Sequence, residues 1–237
     1  MTTTELVHEI RFYCIANADL ERMKTSQRFF KEEFVGYGLT APQIYSKTKE
    51  MLKRGDFDLT TVLEAAPILM NSGMFEEISM GLLLLDGLWK QFTLETFQTI
   101  SSWFSISITN WAHADTLGML ILPKFLDKKI LEMNEFIPWL DSPCKFQRRC
   151  VPGTLIKHMK KTRQVMPSIL FVEKLMTDPE REVHQGMGWF LREAWKISPV
   201  ETESFLEKYK DTAPRLIIQY ACEKMTPENK LRFRKTK

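Results

Sequence analysis

The chain has little that would announce a chemistry. Its four cysteines, Cys14, Cys144, Cys150 and Cys222, form no CxxC pair, which argues against a disulfide scaffold or a thiolate zinc site and suggests a reducing cytosol. Its four histidines, His8, His113, His158 and His184, make no HxxxH or HExxH spacing, so no metal is expected. No GxGxxG or GxxxxGK[ST] loop is present to cradle a nucleotide phosphate, and no GxSxG elbow marks a hydrolase serine. No cofactor is expected. The longest apolar stretches, such as Gly81 to Trp89, are far too short to span a bilayer, and the polar start MTTTELVHEI lacks a signal core. The expectation is a cytoplasmic protein with no membrane partner.

What is present is enough for a large buried core: 237 residues, 44% of them apolar. Lys and Arg number 33 against 30 Asp and Glu, a net charge of +3 that does not decide for nucleic acid by itself. The basic residues gather late, in KHMKKTR (157–163) and in the tail KLRFRKTK (230–237).

Helix starts are clearly written. Ser142, Asp178, Ser198 and Thr226 each precede a proline, pairing a capping side chain with a residue that has no N–H to leave unsatisfied. Thr40 with Gln43 and Ser198 with Glu201 have capping-box spacing. No strand-like alternation persists. In PRLIIQYACEKM, Leu216, Ile217, Tyr220 and Met225 share one broad helical face. The periodicity predicts an all-α chain with helices near 3–16, 18–35, 41–53, 58–70, 74–90, 93–104, 109–126, 130–140, 143–162, 165–177, 179–197, 199–209, 213–225 and 227–234.

A weak internal period accompanies the helices. Asn110-Trp111, Gln147-Arg148 and Gln185-Gly186 recur 37 and 38 residues apart, close to the period of roughly 40 residues in HEAT-type repeats. The expected architecture is one domain over residues 1–237, a HEAT-like αα-repeat solenoid with a concave groove. Equivalent positions of successive repeats would then place Trp111, Arg148 and Trp189 on inner helices. Trp111 and Asp115, four apart, share a helix face, which sets a carboxylate beside an indole. At such spacing an aromatic is more often core, and Asp115 could equally cap a neighbouring helix end.

NWAHADTLG (110–118), KFQRRC (145–150) and GWFLRE (188–193) resemble, in order and separation, three segments of the AlkD family of DNA alkylation-repair glycosylases. FFKEEFVGYGLTAPQ (29–43) resembles that family's second and third helices. The resemblance implies HEAT-like repeats curved around duplex DNA and excision of purines alkylated at N3 or N7. It makes Asp115 the catalytic carboxylate and Trp111 and Trp189 aromatic walls against the deoxyribose. Arg148 matches a backbone contact, and Arg149, Arg192, Phe29 and Lys157 are further candidate DNA-binding residues. The implied partner is duplex DNA bearing alkylated purines, bound by a monomer. Three positions depart from the pattern: Asn110 stands where a tryptophan doublet is common, Phe29 where a tyrosine approaches the DNA, and Pro152 falls in an expected helix interior, where it should bend the helix. These departures keep open a non-catalytic member that binds branched or bent DNA through Arg148, Arg149, Lys157, Lys160, Lys161 and the tail. A HEAT scaffold for protein partners is a third reading.

Overall fold

The computed structural model describes residues 1–30 and 34–234, and among them every regular element is helical. The chain divides into two compact units, residues 1–116 and 117–237. The division falls within a single helical run, 111–127.

The first unit holds α1 (Thr3–Ala16), α2 (Leu20–Gln27), α3 (Ala41–Arg54), α4 (Leu59–Asn71), α5 (Phe75–Gly87), α6 (Leu94–Trp103) and α7 (Trp111–Thr116). Helix α1 begins in a capping box: Thr2 Oγ1 accepts from Glu5 N at 3.3 Å, and Thr2 N donates to the Glu5 carboxylate at 2.7 Å. It buries Leu6, Val7, Ile10 and Cys14 at helical spacing, each large side chain contributing roughly 1.5–3 kcal/mol. Thr40 and Gln43 make the expected box at the start of α3. Helix α5 is the hub, packing against α1, α3, α4 and α7.

The second unit holds α8 (Leu122–Asp127), α9 (Lys145–Thr162), α10 (Val165–Val172), α11 (Arg181–Ile197), α12 (Pro199–Tyr209), α13 (Arg215–Ala221) and α14 (Pro227–Arg232). Here α11 is central and packs against α9, α12 and α13. It is fitted to its neighbours by two glycines. A Cβ on Gly186 would meet Arg149 Cγ at 3.1 Å, and one on Gly188 would meet Tyr220 Cβ at 2.5 Å.

Several expectations are corrected. Helix α2 ends at Gln27 instead of continuing to 35, and Phe34 N donates to the Gln27 side chain at 2.7 Å; residues 31–33 of that expected helix lie outside the described residues. The expected α-helix at 130–140 is a 3-10 run, Met133–Asp141, containing Pro138, which has no N–H for a longer-range helical bond. Helix 109–126 is interrupted by a π-helical turn, Leu117–Ile121, just before Pro123. Thr226 caps α14 as expected, but Ser198 makes no side-chain cap bond. Ser142 and Asp178 fold over the next residues instead, accepting from Cys144 N at 3.1 Å and Glu180 N at 2.8 Å, so α9 and α11 start two residues later than expected. Helix α9 passes through Pro152, whose buried ring lies near Gly186 of α11.

Candidate functional site

Within the first unit the predicted residues gather at the start of α7. Asn110 caps this helix. Its Oδ1 accepts from His113 N at 3.0 Å, so its Nδ2 faces the imidazole and donates to Nδ1 at 2.8 Å. With Nδ1 accepting, the ring proton sits on Nε2, which donates to the Phe75 carbonyl at 3.1 Å. Ser79 Oγ lies 3.3 Å from the same nitrogen. The ring also stacks on Phe75, with centroids 4.8 Å apart. His113 is fully buried, and desolvation lowers its pKa to about 4, so the imidazole is neutral.

Trp111 is half-buried. Its indole stacks on Phe30 at 5.5 Å, and its Nε1–H reaches toward the Phe29 carbonyl at 3.4 Å. Phe30 in turn stacks on Phe34 at 4.7 Å and meets Phe75 edge-on at 5.6 Å. Phe29 is well exposed, with the Arg28 guanidinium 4.9 Å over its ring. Asp115 is half-buried on the face of α7 that carries Trp111. The first unit thus brings Phe29, Asn110, Trp111 and Asp115 into one neighbourhood. The sequence did not single out His113. Its only signal is position, as the third helical residue after an amide able to cap.

In the second unit Arg148, Arg149 and Arg192 all make contacts within the fold. Arg148 forms a two-pronged pair with Asp178, Nε to Oδ2 at 2.6 Å and a terminal nitrogen to Oδ1 at 3.1 Å, and donates to the Ser142 carbonyl at 2.7 Å. These groups edge a cleft of about 340 Å³, with Lys174 and Asp141 at its rim. Arg149, expected on a DNA-facing surface, is buried and donates to the Glu182 carbonyl at 2.6 Å, its aliphatic stem against Gly186. Arg192 pairs with Glu223. Trp189 is half-buried on α11, and Lys157 is exposed on α9. No group of His, Cys, Asp and Glu among the described residues could hold a metal, and no described helix is long and apolar enough to cross a membrane.

Comparison with known proteins bears on this arrangement. A family model described as DNA alkylation repair enzyme matches residues 14–225. The chain belongs to that family. This DNA alkylation repair family member also shares its fold with a solved structure, a predicted DNA alkylation repair enzyme from Enterococcus faecalis, at a TM-score of 0.74. The two are 17% identical, and the alignment covers 89% of this chain and 97% of the other. No curated protein matches the chain in sequence. The likeness agrees with the all-α reading, and the family match spans the Asn110–Gly118, Lys145–Cys150 and Gly188–Glu193 segments.

Proposed function

We propose that this protein is a DNA N-glycosylase that excises purines alkylated at N3 or N7, such as 3-methyladenine and 7-methylguanine, from duplex DNA. The observation that carries the reading is Asp115, one turn beyond Trp111 on a helix whose start is fixed by Asn110 and the buried His113. A purine alkylated at N3 or N7 is cationic, so its glycosidic bond is weak and the departing base needs little protonation. Positive charge develops on the sugar instead. The Asp115 carboxylate stabilises that charge and orients the attacking water. The quadrupole of the Trp111 indole favours the same cation by roughly 0.5–2 kcal/mol. The motif blocks assign Trp189 the part of a second aromatic wall. The protein acts as a monomer in the cytosol, without a cofactor.

The alternative is a non-catalytic member that recognises branched or bent DNA through the basic residues of α9 and the tail. Of the cations it relies on, Arg149 is buried, while Lys160 and Lys161, paired with Glu193 and Asp127 at 2.7 Å each, are exposed. Tail residues 235–237 lie outside the described residues.

The test is release of free base from duplex DNA carrying 7-methylguanine or 3-methyladenine. Asp115→Asn is expected to lower single-turnover release by about 100-fold or more. No release by the wild type above the spontaneous rate would sink the glycosylase reading. In that case, preferential retention of a four-way junction over linear duplex in a gel shift would favour the alternative.

A further inference from the structure

Helix α7 supplies the first six residues of the helical run 111–127, and the π-helical turn that follows departs from the regular α-helical register after Thr116. Helix α7 is tied at points that do not lie on one line. The Asn110 carboxamide oxygen caps its first turn. The His113 ring crosses to the start of α5 and meets Phe75 O and Ser79 Oγ. The Trp111 indole reaches the segment around Phe29 and Phe30. An ordinary capping residue needs only its oxygen. Asn110 also uses its amide nitrogen, which fixes the imidazole tautomer and therefore the ring's donor bond to Phe75.

We propose that Asn110 and His113 are positioning residues for the Asp115–Trp111 pair, setting the rotation of α7 about its own axis. In this chain the residue standing in place of an aromatic thus acts by aligning the helix that carries the carboxylate. The inference rests on the glycosylase reading for its catalytic consequence, but its structural part can be tested without it.

Asn110→Ser separates the two uses of the side chain, because serine is an equally good cap but cannot donate to His113 Nδ1 in the same way. The expected result is a single-turnover excision rate down by about 10–100-fold, the loss that follows when a reacting group is displaced by about 1 Å. Affinity for the same duplex should stay within about twofold, since roughly the same groups face the DNA. A rate within twofold of wild type, or a rate and an affinity that fall together, would overturn the proposal. The second readout is the indole N–H resonance of Trp111 in a ¹H–¹⁵N spectrum. It should shift in Asn110→Ser, and an unmoved resonance refutes the coupling whatever the activity. If the wild type releases no base, the glycosylase reading fails while the indole resonance still decides the coupling. Should Asn110→Ser not fold, Ser79→Ala, which removes the hydroxyl beside His113 Nε2, is read in the same spectrum with the same two outcomes.

Discussion

In the first unit a buried carboxylate holds backbone N–H groups; in the second, arginines hold backbone carbonyls. Glu76 is almost completely buried and accepts from Tyr37 N, Gly38 N and Leu39 N at 2.8, 2.8 and 3.1 Å. Its neighbour Glu77 accepts from the Tyr37 hydroxyl at 2.8 Å and pairs with Arg11 at 3.0 Å. The loop they hold approaches α2 so closely that a Cβ on Gly38, where φ is +80°, would meet Asp19 O at 2.1 Å. Across the second unit Arg148 and Arg149 do the complementary work on Ser142 O and Glu182 O. Both devices satisfy backbone groups that would cost about 1–3 kcal/mol each if buried alone. The lesson is that charge in this sequence does not report exposure. The acidic pair in FEEISM lies in the first turn of its helix and the basic pair in FQRRC resembles a DNA contact, and each pair also satisfies groups of the fold.

The comparison can be broken most forcefully at Glu76. Glu76→Gln turns a full acceptor into a group with an N–H₂ facing backbone donors, and is expected to lower stability by about 3 kcal/mol or more in urea unfolding. A loss below about 1 kcal/mol would mean the loop is held by other contacts.

His113 sharpens it next. Its pKa is lowered from 6.5 in the unfolded chain to about 4 in the fold, so between those values the unfolded chain binds the extra proton. Stability from the neutral ring is complete above pH 6.5 and declines as the pH falls toward 4, by ~3 kcal/mol in all. Wild type minus His113→Gln, followed by denaturant unfolding across that window, isolates the slope. Glu9, held at about 2 by Arg54 and Lys47, adds its own slope as the pH falls through about 4.5, and subtracting the variant removes it.

Arg149→Met keeps much of the stem but abandons the Glu182 carbonyl; the expected cost is about 2 kcal/mol, with no change in the salt dependence of DNA binding. A reduced salt slope would return Arg149 to the interface. The smallest effect belongs to exposed Lys157. Lys157→Gln should leave stability within about 0.5 kcal/mol. If Lys157 contacts a phosphate, the same change lowers the salt slope of binding by about one.

These contrasts explain what could be read in advance. The span of α12 matches its expected bounds, Pro199–Tyr209, because a proline starts it and the apolar spacing is regular. The starts of α9 and α11 were misplaced because Ser142 and Asp178 have the right chemistry for caps but make tighter turns, and Asp178 is also the counter-ion of Arg148. That pairing joins residues 30 apart in the chain, which no local pattern records. The burial of Glu76 and Glu77 did leave a trace. Helix α5 is apolar nearly all round, from Ile78 to Leu85, so little of it faces water and its charged first turn is buried with the rest. At the candidate site, the Trp111–Asp115 face followed from spacing. The second role of Asn110 did not, because it depends on the orientation of an imidazole anchored to another helix.

The glycines of α11 carry a practical consequence for anyone seeking a hardier version of this protein. Replacing a helical glycine by alanine is a common stabilising change, worth roughly 0.5–1 kcal/mol. At Gly188 the added methyl would strike the Tyr220 side chain and the Ile217 backbone carbonyl, so that route is closed there, and a deep mutational library should be nearly empty at this position. Trp189 therefore stands beside a residue that tolerates no enlargement, and sequence drift around this indole is limited by helix packing before any demand from DNA applies.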